Sequence, residues 1–324
     1  MGKPLGVIRA GLRTPEEIAG HSRASFDRPL APHAAHAAEL WVAVAGNAAT
    51  AVSRGAFQRA DRRGGTSAAR RGSGGPSVFL AEGTVHVALA LAHPGALVPC
   101  DERRIVNRLV RPLLGALTKT LPRTSAAQAH FFGSDWVDVR HRPVAWVGFG
   151  HDATTRRTLF EAFVAVRAPF ADAGRAAFRG KAPATLEEVV GGPIDAQRVA
   201  EAIVDGYLAA SGEPELVVAQ PSVAPSIDPL EEPDDPPWAA TVDEAIGIVA
   251  AGPDARGAFR VGGDLLVSRD ALARLERRIE AGDDPSRAVD ETLTAPGVAL
   301  DGVRSLASIR DVIVRARAPR SGLP

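Results

Sequence analysis

The chain contains a single cysteine, Cys100, so it can form neither an internal disulfide nor a cysteine-based metal cluster. That fits a reducing compartment. Lysine is almost missing: Lys3, Lys119 and Lys181 are the only ones, and arginine carries nearly all of the positive charge. Any chemistry that needs an ammonium group therefore has few candidates. Aromatic residues make up only 5% of the chain. They do not interleave with the basic residues as in single-strand binders, and no helix-turn-helix signature stands out, so no nucleic acid partner is expected. No apolar run is long enough to span a bilayer, and no charged start with a long apolar run marks a signal peptide. Gly6 stands where N-myristoylation wants Ser or Thr. The protein is read as soluble and cytoplasmic, with no membrane partner.

What is present is ordinary in bulk. The 324 residues, 45% apolar and 23% charged, can bury a sizeable core and suggest two domains. The net charge of zero is unevenly placed: residues 1–150 hold 17 Arg and 2 Lys against 10 Asp and Glu. A basic half beside an acidic half favours anionic ligands or an acidic partner protein.

Four segments follow from the pattern. Residues 1–38 read as a loosely structured lead-in with some helix. Residues 39–211 form the main domain, opening with the strand-like Leu40–Val44 and a short strand at Thr50–Ser53. Val78–Leu80 and Val85–Leu91 read as a hairpin turning at Glu82-Gly83. Ile105, Leu109, Leu113 and Leu117 share one helix face. Trp136–Val139 pairs with Val144–Phe149, Phe160–Val166 is a further strand, Thr185–Glu188 has a capping-box pattern, and Asp195–Ala210 is a helix. Residues 212–238 carry seven prolines, seven acidic residues and no Lys or Arg, the composition of a semi-rigid linker. Residues 239–324 read as a compact α+β module, with strands at Ala245–Ala251 and Ala258–Val261 and a helix capped by Ser268. The fold class is α/β: a mixed, largely antiparallel sheet flanked by helices, then the small α+β domain.

The most informative stretch is Arg70-Arg71-Gly72-Ser73-Gly74-Gly75-Pro76. Glycines let backbone N–H groups approach an anion closely, and arginine adds a planar fork for carboxylate or phosphate oxygens. A basic surface loop is the plainer reading of the same residues. In order with the flanking strands, the long helix and Gly133-Ser134-Asp135, this string resembles the lipoate–protein ligase family of the biotin/lipoate ligase group. The likeness runs from Leu40 to the helix after Leu186-Glu187-Glu188. The tail with Gly263-Asp264-Leu265-Leu266 is similar to the family's accessory domain.

The resemblance implies ATP- and Mg2+-dependent activation of lipoate or a medium-chain acyl acid to acyl-AMP, then transfer to a lysine of a lipoyl carrier domain. It implies that Arg70, Arg71, Ser73, Gly74 and Gly75 shape the acyl and adenylate pocket, and that Asp135 serves the nucleotide or Mg2+. The chain departs from the family pattern at Pro76, which removes an N–H, at Leu80, where a histidine is usual, and at Ser134, where asparagine is. It departs most at Pro143, which stands in place of the family lysine, and at Trp146, in place of a glycine. Arg142, one residue earlier, is the candidate substitute, although its broad fork is no isostere of an ammonium.

Two other functions stay open: a non-catalytic descendant that binds an acyl acid, a nucleotide or a carrier domain, and an octanoyl-type acyltransferase working through Cys100. His86 alternates with Val85 and Val87 and reads as a histidine of the opposite, polar face. His130, His141 and His151 lack metal-ligand spacing.

Overall fold

A computed structural model describes residues 4–28, 30, 36–46, 51–59, 68–122, 127–133, 135–170, 181–213, 215–218 and 237–318. Ser134 and most of the expected linker lie outside them. In chain order the elements begin with β1 (Leu5–Arg13), α1 (Pro15–Asp27), β2 (Ala38–Ala45), β3 (Ala51–Arg54), β4 (Ala68–Arg70), β5 (Val78–Leu80) and β6 (Val85–Leu91). They continue with α2 (Ile105–Thr120), β7 (Ala129–His130), β8 (Trp136–Val139), β9 (Arg142–His151), β10 (Thr158–Val164), α3 (Leu186–Val190), α4 (Ala196–Ser211) and β11 (Glu215–Val217). The C-terminal part holds β12 (Ala240–Glu244), β13 (Gly247–Pro253), β14 (Phe259–Gly263), β15 (Leu266–Val267), α5 (Arg269–Glu280), α6 (Pro285–Leu293), β16 (Leu300–Asp301) and α7 (Leu306–Arg317).

An eight-stranded sheet in the order β11-β1-β2-β6-β10-β9-β8-β7 is the frame. Its pairings are parallel at β11-β1-β2 and antiparallel from β2 onward, which is the mixed, largely antiparallel sheet expected. Period-two alternation sends Val85, Val87 and Leu89 to one face, where they pack with Leu109 and Leu113 of α2 and Ile203 and Tyr207 of α4. The other face carries Trp41, Ala88, Trp146 and Phe163 under Ile18 and Phe26 of α1 and Leu80 of β5. Helices α2 and α4 approach so closely that a Cβ on Gly206 would stand 2.8 Å from the Pro112 carbonyl. Beside that contact the Tyr207 hydroxyl donates to the Leu109 carbonyl at 2.9 Å.

Two expectations are corrected. Within the expected lead-in of residues 1–38, Leu5–Asp27 are not loose: β1 is a mostly buried strand paired with β2 along its length, and α1 starts on a complete capping box between Thr14 and Glu17. Alternation had hidden β1, because its apolar residues run consecutively, the pattern of a strand covered on both faces. Nor do β5 and β6 form a hairpin. β5 pairs with β3 in a small three-stranded sheet, whereas β6 pairs with β2 and β10. The turn between them instead steps from one layer to the other, with Gly83 donating to Ala45 and Ala45 to Thr84.

The α+β unit beyond residue 238 has its own core around Val249, Leu272, Leu275 and Val312. It docks on the main sheet through His151, which bridges β9 to Ser268 and bonds the Gly297 carbonyl at 3.0 Å. Asp270 adds bonds from the Ala153 N–H and the Thr154 hydroxyl. No helix among the described residues is long and apolar enough to cross a membrane. Replacing Tyr207→Phe removes one buried hydrogen bond and should lower stability by about 1 kcal/mol in urea unfolding, with the cooperativity of the transition unchanged.

Candidate functional site

The glycine loop leaves β4 at Arg70 and passes beneath α1 before reaching β5. Arg71 is almost wholly buried at 1% exposure, so its charge must be answered by the protein itself. Its Nε donates to the Ser73 hydroxyl at 2.9 Å, Nη1 to the Ser53 carbonyl at 2.7 Å, and Nη2 to the Gly74 and Pro76 carbonyls at 2.7 Å each. These bonds use four of the five guanidinium N–H groups. The flat guanidinium also lies 4.1 Å from the centre of the Trp146 ring.

The counter-charge comes from Glu161 on β10. One of its oxygens sits 3.8 Å from Arg71 Nε and accepts the Ser73 hydroxyl, and the other contacts His86 Nε2 at 2.6 Å. Burial works against the charged form of Glu161, yet His86 and Arg71 outweigh it and hold the carboxyl below its usual range. For Arg71, burial pulls the guanidinium down to about 10, which leaves it charged at neutral pH. Aromatic faces wrap this pair: His86 stacks on Phe163 at 4.6 Å and meets Trp41 edge-on at 5.2 Å, and His21 stacks on the far face of Trp41 at 4.1 Å. Burial lowers His21 to about 3, so it stacks as a neutral ring.

The loop's amides are engaged as well. Gly72 N–H donates to the Ser22 hydroxyl, Gly74 N–H to the Phe149 carbonyl at 3.0 Å, and Gly75 N–H to the Leu265 carbonyl at 3.0 Å. Gly75 adopts φ +92°, and a Cβ there would stand 2.4 Å from the Trp146 ring. A Cβ on Gly74 would stand 2.0 Å from the Leu265 oxygen. Trp146 itself fits because Gly148 leaves room for its ring. The donors of the loop converge upon Ser73, Glu161 and backbone carbonyls.

Of the residues singled out from sequence, the structure brings together Arg71, Ser73, Gly74, Gly75 and Asp135. Asp135 is buried next to Trp146, within electrostatic reach of Arg71 and Asp264. Burial raises its carboxyl to about 7, with the negative charges of Asp264 and Asp301 adding to the effect. Arg70 is exposed on the solvent side of the loop. Arg142 lies apart: it bonds Glu188 at 3.0 Å and the Pro183 carbonyl at 3.2 Å, about 13 Å along β9 from Trp146.

Sequence reasoning missed Glu161 and Lys181. Lys181 Nζ pairs with the fully buried Asp138, whose register partner on β9 is Pro143, the position where the resemblance wants a lysine. Nothing local pointed to either residue, although the glutamate in the apolar run Phe160–Phe163 was a signal that a buried partner must exist.

A phosphate-bearing cofactor finds no free amide at Gly72, Gly74 or Gly75, and Pro76 has none to offer. Among the described residues no group of three or more His, Cys, Asp or Glu side chains is arranged to hold a metal ion. The glycine amides of the loop therefore do not form a phosphate cradle in this structure.

No protein-family model matches the chain, and no curated protein sequence does. Solved structures do match. The P. falciparum protein LipL1, crystallised in complex with lipoate, aligns over 96% of this chain and 99% of its own, with a TM-score of 0.59 and 11% identity. The bipartite lipoate protein ligase of Thermoplasma acidophilum, studied with its E2 lipoyl domain, covers 68% of this chain and 88% of its own at 14% identity and a TM-score of 0.48. A lipoate-protein ligase A bound with ATP covers 68% and 90% at 13% identity and 0.45. The LipL1 likeness extends through the C-terminal unit, so the chain has the lipoate/biotin ligase fold over nearly its whole length.

Two outcomes follow from the buried charges. Glu161→Ala strands the Arg71 guanidinium and should cost about 3–5 kcal/mol in urea unfolding, whereas Glu161→Gln, which keeps the hydrogen-bonding shape, should cost less. A raised carboxyl binds its proton more tightly in the folded state, so Asp135 costs stability increasingly as pH rises from about 4 to about 7. Asp135→Asn should therefore stabilise the fold at pH 8, by up to about 2–4 kcal/mol, with the gain fading towards pH 4.

Proposed function

We propose that this protein is lipoate–protein ligase-like and recognises lipoate or a related medium-chain acyl acid together with a lipoyl carrier domain. We propose further that it does so as a binding protein, without forming an acyl-adenylate at the 70–75 loop. The observation that carries the reading is the internal pairing of Arg71 with Glu161. A buried guanidinium already bonded to three backbone carbonyls and the Ser73 hydroxyl, and paired with a buried carboxylate, has four of its five donors committed and its charge answered before any substrate arrives. Pro143 and Trp146, standing where the family has lysine and glycine, support the same conclusion.

Retained ligase activity is the second reading, and one observation favours it: Lys181 brings an ammonium to Asp138, opposite Pro143. An acyltransferase acting through Cys100 has less support. Burial raises that thiol to about 11, and its Sγ donates to the Asp101 carbonyl, so little thiolate exists at neutral pH.

The test combines calorimetry with a transfer assay. The purified chain should bind lipoate and a lipoyl domain, while the mass of the lipoyl domain stays unchanged after incubation with lipoate, ATP and Mg2+. A gain of one lipoyl group with release of pyrophosphate would establish the ligase reading instead, and failure to bind either partner would remove both.

A further inference from the structure

We infer that the solvent face of α2 is a docking surface for an acidic segment of a partner protein, recognised by the row Arg104, Arg108, Arg111 and Lys119. Helix α2 packs on the side of the sheet opposite the Trp146 layer and the 70–75 loop, so the inference stands apart from the acyl-acid reading.

Leu109, Leu113 and Leu117 turn one face of α2 into the core. At about 100° per residue, Arg104, Asn107, Arg108, Arg111, Gly115 and Lys119 then share about a third of the circumference on the other face, in a row about 22 Å long. All are exposed except the half-buried Arg108. The helix has no Asp or Glu in its 16 residues. Arg103, Arg108, Arg111 and Lys119 form no ion pair among the described residues, and Arg104 reaches only Asp101, at 3.7 Å. This arrangement works against the helix. Arg104 repels Arg108, and Arg108 repels Arg111, one turn apart in each case. Arg103, Arg104 and Arg108 also crowd the N-terminal end, where the macrodipole favours anions. Elsewhere the chain obeys that rule: α1, α3 and α5 have acids in their first turn, and α5 and α7 have arginines in their last. A local conflict in an otherwise consistent chain marks a place kept for a purpose other than folding.

The surroundings of the row choose the partner. No aromatic side chain stands in it to stack a base, which speaks against single-stranded nucleic acid. It offers no apolar side chain to enter a bilayer. A flat membrane covering α2 would also reach α4, packed against it at Pro112, and meet the exposed Asp205. A narrow partner avoids both difficulties. Carboxylates one helical turn apart match the guanidinium groups of Arg104, Arg108 and Arg111 in charge and spacing. Gly115, with nothing within 4 Å of where a Cβ would stand, leaves room for such a segment to lie close.

A fluorescent oligoglutamate peptide as long as α2, titrated into the full chain at low salt, tests the surface. Duplex DNA and vesicles of phosphatidylcholine with phosphatidylserine are the competing probes. The triple variant Arg104→Gln/Arg108→Gln/Arg111→Gln removes the row, and Arg315→Gln/Arg317→Gln removes two exposed arginines of α7 as a control. Oligoglutamate should bind the wild type and the control variant alike, and the triple variant about ten-fold more weakly, with the wild-type affinity falling as salt rises. The triple variant should unfold at a urea concentration no lower than the wild type, because the repulsion and the unfavourable dipole contact are gone. Equal binding by the wild type and the triple variant, or no binding by the wild type, would overturn the surface. Tighter binding of duplex DNA or of the vesicles, lost in the triple variant, would overturn the acidic-protein class. A lower urea midpoint in the triple variant would show that the row serves the fold, and would overturn the inference as well.

Discussion

The structure depends on one buried cation. Arg71 gathers β3, the glycine loop, β9 and β10 around a single guanidinium, through the carbonyls of Ser53, Gly74 and Pro76, the Trp146 ring and the Glu161 carboxylate. A charge so placed is tolerated only when its hydrogen bonds and counter-charge are complete, so each partner constrains the others. The path of the loop, the rotamer of Trp146 and the glutamate in β10 form a single solution. The same completeness separates fold from chemistry. The fold is shared with a protein crystallised in complex with lipoate, and in this chain four Arg71 donors and the amides of Gly72, Gly74 and Gly75 bond inside the molecule.

The parts of this arrangement that could be read from the sequence are those set by local periodicity. Strands β2, β8 and β9, helices α2 and α4 and the α+β character of the C-terminal unit follow from spacing alone. The glycine loop was also identifiable as a place where backbone comes close to something. Its partner was not, because Glu161 lies 88 residues from Ser73 and only strand register brings them together. Lys181 and Asp138 escaped for the same reason, being 43 residues apart. β1 was missed because a strand buried on both faces has no alternation to detect. His86 illustrates the limit: alternation correctly sent it to the face opposite Val85 and Val87, but that face is roofed by α1 and buried, not polar.

Two groups of ionisable residues on the same side of the sheet respond oppositely to protons. Burial holds His21 neutral, which favours the fold as pH rises from about 3 to 6.5, while the raised Asp135 carboxyl works the other way up to about 7. The conditions that best suit the aromatic layer are thus not those that best suit the acidic cluster of Asp135, Asp264 and Asp301. Stability is a compromise between them in the mildly acidic range.

The glycines where the C-terminal unit meets the main domain have a consequence of another kind. A methyl group on Gly74 would strike the Leu265 carbonyl, and one on Gly262 the Phe57 carbonyl. At these points the two lobes meet backbone to backbone, between the side-chain contacts that His151, Asp270 and Arg269 make across the same junction. A tail of the same shape with any side chain at the position of Gly262 would therefore be held off the main domain by the Phe57 carbonyl.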